Sequence, residues 1–223
     1  MTEPSTATGS RKRCSDVAVE ARGLVLAGFL AALAGIVDAL GYLHLGGLFI
    51  SFMSGNSTQL SAALGQGDLA EAGMIAKLIG LFVLGAAAGQ VLAYFTGAWH
   101  LTWVLVAVAF LLALAAVLAT APEPMVVAMG ALNASLRRAG NIPISLTFVT
   151  GVLVRFGQGL GDFVTGRVTG FNWLLQATPW IGLIAGATLG TLAYGWAGDG
   201  AIWVPVILAG ALACCSAVMP EPE

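Results

Sequence analysis

Charge is what this sequence has least of. Nine Lys and Arg with 11 Asp and Glu make up 9% of the 223 residues, while 58% of the chain is apolar. A soluble domain carries about 25% charged residues and about 45–50% apolar ones. So little charge does not coat a soluble surface. The near balance of signs leaves no basic face for phosphates, which excludes nucleic acid as a partner. Cysteine is scarce as well: Cys14 stands in a polar tail and Cys214 and Cys215 are adjacent in an apolar stretch. There is no CxxC, and His44 and His100 are far apart, so the spacing supports neither a disulfide nor a zinc site. GxSxG, a Walker loop, HExxH and clustered carboxylates are also missing. An enzyme is therefore disfavoured and no cofactor is expected. High hydrophobicity excludes disorder for most of the chain. What remains is an integral membrane protein, with the lipid bilayer as its first partner.

What is present is a series of long apolar runs. Runs 24–42, 75–94, 101–121 and 201–219 each approach the roughly 20 residues that cross a bilayer. A fifth, 173–196, carries Pro179 near its start, and a sixth, 125–136, is short and ends at Arg137 and Arg138. Residues 1–22 are rich in Ser, Thr and charge and read as a disordered cytoplasmic tail. The run after them is longer than the about 7–15 apolar residues of a signal peptide, so it is read as a retained first span. The six tryptophans gather at span ends, as interfacial anchors do.

Two further segments, 48–64 and 144–166, are too polar for lipid along their whole length, and they form a matching pair. Gly35-Ile36-Val37-Asp38-Ala39 is answered 95 residues on by Gly130-Ala131-Leu132-Asn133-Ala134. Phe52-Met53-Ser54-Gly55 is answered 96 residues on by Phe148-Val149-Thr150-Gly151. Gly85-xxx-Gly89 with Tyr94 returns as Gly186-xxx-Gly190 with Tyr194. The expected fold is therefore all-α, with about six transmembrane helices, two broken or re-entrant segments and a two-fold internal repeat. Its domain would span 23–220, in halves of about 23–121 and 122–220.

Paired broken segments are the best sequence pointer to a transporter-like site. Stretches 48–52 and 144–149 are rich in β-branched and aromatic residues and favour extended backbone. Each then meets Ser-Gly or Thr-Gly, which makes Ser54 and Thr150 candidate N-caps of half-helices. Two half-helix ends facing each other would suit an anion or polar solute. On this reading 54–59 and 150–158 line one central site. The candidate solute contacts are Asp38, Ser54, Asn56, Gln59, Asn133, Thr150, Arg155, Gln158 and Asp162. Asp38 has a competing structural role, a hydrogen bond to a half-helix end, because an unpaired carboxylate at depth costs about 2.5–3.5 kcal/mol. Asn133 suits a buried bond between helices. Arg155 and Asp162, seven residues apart on one helical face, read as an internal charge pair or as an anion contact. Gln59, Gln90 and Gln158 suit helix-packing bonds, and the paired glycines suit close helix approach.

Two topologies follow. If the broken segments return to the side they entered, the halves are inverted, six spans result, and only Lys77 lies outside. If they cross, eight passes and parallel halves result. The positive-inside rule favours six. Both place the two termini in the cytoplasm.

The blocks 35–39, 52–59, 129–134 and 147–151 resemble the YoaK family of bacterial multispanning inner-membrane proteins of uncharacterised function, over roughly residues 24–219. Ser54 stands where that family usually has Thr. The resemblance implies a bacterial inner membrane and about six spans, and supplies no substrate. The strand-then-half-helix pattern is also similar to that of sulfate and uracil transporters, in architecture alone. The expected function is passage of a small polar or anionic solute. The alternative is a non-transporting sensor or subunit held by the Gly-xxx-Gly faces, and homo-oligomer formation is left open.

Overall fold

The computed structural model describes residues 6–118, 121–135 and 149–218, with side chains from residue 23 onward except Ser135. Eight α-helices follow: α1 (Thr6–His44), α2 (Met53–Gln66), α3 (Leu69–Thr96), α4 (His100–Val117), α5 (Pro122–Ser135), α6 (Val149–Val164), α7 (Thr178–Ala197) and α8 (Trp203–Val218). No strand occurs among the described residues. The helix begins at Thr6, so residues 6–22, which the sequence assigns to a disordered tail, continue α1. Ala18, Glu20, Ala21 and Arg22 are strong helix formers, and a formed span removes the nucleation cost of extending it.

Three stretches are long and apolar enough to cross a membrane: Gly23–His44, Leu69–Val117 and Asn172–Val218. The second has 49 residues and would be a rod of about 73 Å, against about 30 Å of hydrocarbon. It folds back on itself instead. Gly97, at φ 52° and ψ −125°, opens a 3₁₀ turn between α3 and α4, and Gly198, at φ 55° and ψ −131°, opens another between α7 and α8. Only glycine takes that backbone without strain.

The direction of each helix is read from what it touches. Along α1, Gly28 meets Thr178, Gly35 meets Leu183 and Ala187, and His44 meets Asp199, so α1 and α7 run parallel. Along α3, Lys77 meets Glu123, Gly85 meets Val127 and Gly89 meets Ala131, so α3 and α5 run parallel. Leu40, Gly41 and His44 at the end of α1 share a cleft with Pro122 and Met125 at the start of α5. Hence α1 and α5 run in opposite directions. Thr102 at the start of α4 bonds Ser216 at the end of α8 (2.9 Å), so these two are antiparallel as well. The two halves are inverted, and α1, α3, α4, α5, α7 and α8 form the bundle.

The halves also exchange partners. The first helix of each half packs against the third helix of the other. A Cβ at Gly190 would stand 2.9 Å from the Ile36 carbonyl oxygen, and one at Gly89 would stand 2.6 Å from that of Ala131. These are the same contact with the halves swapped, at offsets of 95 and 101 residues. Close backbone approach through small residues is what drives helix association in lipid. It leaves α1 and α5 as the buried centre, with Leu30, Leu33, Ile36 and Leu40 on one and Met125, Met129 and Leu132 on the other.

The bundle fixes the odd segments. α1 ends and α3 begins at the same end, here the His44 end, so residues 45–68 enter and leave there. α5 ends and α7 begins at the opposite, Thr178 end, and α6 lies between them in sequence. α2 and α6 also terminate alike. Gly67 and Gly166 adopt φ of 78° and 71°. Each closes with paired bonds, Gly67 N to Leu64 O with Asp68 N to Ala63 O, and Gly166 N to Phe163 O with Arg167 N to Asp162 O. This is the Schellman pattern, repeated at an offset of 99. The spacing drifts from 95 to 101, and part of the gain lies in the half-helix itself, 14 residues long in α2 and 16 in α6.

Candidate functional site

The re-entrant stretch of the first half is built on glycine and three polar side chains. Gly46 and Gly47 have positive φ of 62° and 106° and turn the chain back after α1. Leu48 and Ile50 then drop into the core, and Ile50 packs directly on Gly41, where no Cβ would fit. The irregular backbone here has no helix or sheet to satisfy its polar groups, a costly state away from water. Asp38 lies six residues, or about 9 Å, in from the end of α1. Its Oδ1 accepts from Ile50 N (2.8 Å) and Ser51 N (2.6 Å), and its Oδ2 accepts from the Ser51 hydroxyl (2.7 Å). Asn56, fully buried on α2, grips the Phe49 peptide from both sides: Oδ1 accepts from Phe49 N (3.0 Å) and Nδ2 donates to Phe49 O (2.6 Å). Gln59 donates to Gly47 O (3.0 Å).

Asp38, Asn56 and Gln59 are thus brought together, as a clamp on residues 47–51. The structural role of Asp38, bonded to a half-helix entrance, is the one the geometry displays. Ser54 is not the N-cap expected of it. Phe52 occupies that position without a side-chain bond, and Ser54 is exposed one residue into α2. The segment before α2 is non-helical, as the sequence requires, but it is bent at Ile50 and Ser51 and forms no strand; its counterpart at 144–148 lies outside the described residues.

The second set is elsewhere. Thr150 and Gln158 are exposed on α6, and Arg155 is half-buried there. Arg155 does not pair with Asp162. The Asp162 carboxylate faces Arg167 at 3.8 Å instead. Asn133 donates to Met129 O (2.9 Å), one turn back. α2 packs on α3, whereas α6 packs on the 3₁₀ turn Asn172–Ala177 and on α7. The half-helices sit at opposite ends of the bundle, so 54–59 and 150–158 do not converge on one midplane pocket among the described residues. The physical reason is the clamp itself, which ties α2 to the end of α1.

Trp173 anchors the α6 side. Its ring stacks with Phe156 (5.2 Å) and Phe163 (6.0 Å) over Gly159. Its Nε1 and the Gln176 Oε1 are buried without a hydrogen-bond partner. At the other end, the cleft beside His44 holds about 10 Å³, room for a single water. No group of three or more His, Cys, Asp or Glu is placed to hold a metal among the described residues.

Sequence reasoning passed over four residues that tie the halves together. Lys77 and Glu123 pair at 2.7 Å. His44 bonds Asp199 at 2.9 Å. These pairs lie 46 and 155 residues apart in sequence, so no local pattern announces them. The Gly-xxx-Gly faces proposed for a partner are occupied inside the chain, α3 on α5 and α7 on α1.

Inverted halves with exchanged helices and a clamped re-entrant loop define a polytopic all-α membrane protein. Residues 26–215 match the family model described as "Protein of unknown function (DUF1275)", and the chain belongs to that family. It is 41% identical over 203 residues to the UPF0700 transmembrane protein RA0705 of Rhizobium meliloti (strain 1021), covering 89% of this chain and 88% of that protein. No solved structure matches.

Proposed function

We propose that the chain is a secondary transporter or facilitator of a small polar or anionic solute, without enzymatic activity, in a bacterial inner membrane with both termini in the cytoplasm. One observation carries the reading. Two inverted halves, each with a short half-helix that enters and leaves at one end, form the architecture on which alternating access is built. Non-helical backbone at membrane depth is kept only where protein buries it or a wet cavity needs it, and here the side chains of Asp38, Asn56 and Gln59 hold it by hydrogen bonds. The side chains left to meet a solute are those that make no hydrogen bond among the described residues: Ser54 on α2 and Thr150, Arg155 and Gln158 on α6. Arg155 is the cation among them and suits an anion. With no nucleotide motif, the driving force is an ion gradient or the solute's own. The bacterial inner membrane follows from the YoaK resemblance, and the orientation from Arg11, Lys12, Arg13 and Arg22, which precede the apolar part of α1.

The test is uptake into proteoliposomes across small anions, nucleobases and amino acids. Uptake by the wild type that disappears in Arg155→Ala, with the fold intact, supports the reading. If no solute moves and a stoichiometric membrane partner co-purifies, the protein is a non-transporting subunit.

A further inference from the structure

We propose that His44 and Asp199 form a proton-operated latch that locks the two halves together at the His44 end of the bundle. His44 closes α1, in the first half, and Asp199 lies in the turn Gly198–Ile202 that joins α7 to α8, in the second. The imidazole Nδ1 lies 2.8 Å from Leu40 O and Nε2 lies 2.9 Å from the Asp199 Oδ1. Both neighbours are acceptors, a carbonyl and a carboxylate. A neutral imidazole has one N–H and meets only one of them; an imidazolium donates to both. The bond within α1 and the bond between the halves therefore form together only when His44 is protonated, and loss of that proton as pH rises makes the two acceptors compete for one N–H.

The surroundings leave this charge to one partner. Tyr194 of α7 presents its ring edge-on to the imidazole at 5.0 Å. α5 contributes Pro122 and Met125, the chain after α1 contributes Leu45 and Ile50, and the turn Gly198–Ile202 contributes Ile202, none of which titrates. Glu123, beside Pro122, is engaged by Lys77 at 2.7 Å. His44 is mostly covered, at 21% side-chain exposure, while Asp199 is 73% exposed and reachable by protons from solvent.

The device is also one-sided. The internal repeat places Ala98 at the position equivalent to Asp199, and Thr178 and Gly28 at those equivalent to Lys77 and Glu123. Two charged links thus join the halves at the His44 end. At the Thr178 end the corresponding helices meet through Gly28, Gly182 and Thr178. The end that loosens when the proton is lost is the His44 end, and residues 45–52, which hang from the last turn of α1, open with it.

Neither the latch nor its test requires a transported solute, so it stands or falls apart from the proposed function. Full-length protein labelled at histidine nitrogen reports the His44 ring directly, with His100 distinguished by His100→Gln. Hydrogen exchange of residues 45–52 and 196–202 is measured on the two sides of the histidine range, about pH 5 and about pH 8, after correction for intrinsic rates. Expected in the wild type are two protonated ring nitrogens at the acid pH. Exchange should be about fivefold faster at the alkaline pH, which corresponds to the net loss of one hydrogen bond, about 1 kcal/mol. Asp199→Ala should exchange fast at both. Asp199→Asn should stay protected at both, because its amide can donate to a neutral Nε2. Equal protection of the wild type at both pH values overturns the latch. So does an unchanged pH response in either Asp199 variant.

Discussion

Replacing Asp38 separates a residue that holds the re-entrant loop from one that only handles solute. Its carboxylate takes two backbone N–H groups and one hydroxyl. In Asp38→Ala the Ser51 hydroxyl rotates to another acceptor, but the N–H groups of Ile50 and Ser51 lose theirs. Each buried orphan donor costs about 1–3 kcal/mol. Removing a partly buried carboxylate returns some desolvation energy, so the net loss is about 2–4 kcal/mol. For a chain of this size that lowers the unfolding midpoint by about 10 °C. Asp38→Asn keeps an oxygen for both N–H groups and turns its amide toward Ser51, whose hydroxyl can accept. It should lose about 1 kcal/mol at most, the difference between a charge-assisted and a neutral bond. The repeat contains its own precedent, since Asn133 occupies the equivalent position. Thermal unfolding in detergent, with limited proteolysis read at residues 45–52, makes the comparison. An Asp38→Ala protein as stable as wild type, with the loop uncut, refutes the clamp.

Other consequences follow from the exchanged packing. Gly85→Val and Gly186→Val introduce side chains against the Val127 and Ala32 backbones in equivalent positions. Each should destabilise by about 1–3 kcal/mol, by similar amounts, with loss of the monodisperse peak on size exclusion; a large effect in one alone breaks the repeat. Lys77→Ala removes an ion pair whose side chains are 58% and 41% exposed, and should shift stability by no more than about 1 kcal/mol in the same unfolding assay. In a background without cysteine, Leu43→Cys and Gln66→Cys should react with an impermeant thiol reagent from one side and Trp99→Cys from the other. Reaction of the first two from opposite sides means that α2 crosses the membrane.

Much of the architecture was legible from residue types because lipid leaves few choices. Scarce charge and apolar runs near 20 residues dictate helices that satisfy their own backbone. The paired blocks around Asp38 and Asn133, and the paired Gly-xxx-Gly motifs, already imply duplication. Gly97 with Gly198, and Gly67 with Gly166, were further markers that went unread, because a lone glycine reveals its positive φ only in the folded backbone. The destination of the side chains was not legible. Asp38, Asn56 and Gln59 have the chemistry of solute ligands, and sequence spacing does not say whether their partner is a solute or the chain's own peptide groups.

Composition and periodicity, then, determined that this is an all-α membrane protein of two related halves with one odd segment in each. Those properties depend on residue type and on neighbours three or four places away. Tertiary structure decided that the halves are inverted and exchange helices, that the polar residues of α2 clamp a loop, and that His44 and Asp199 meet. The physical reason is that these contacts join positions from 7 to 155 residues apart, beyond the three or four places that helical periodicity reaches, and only the packed bundle sets their distances.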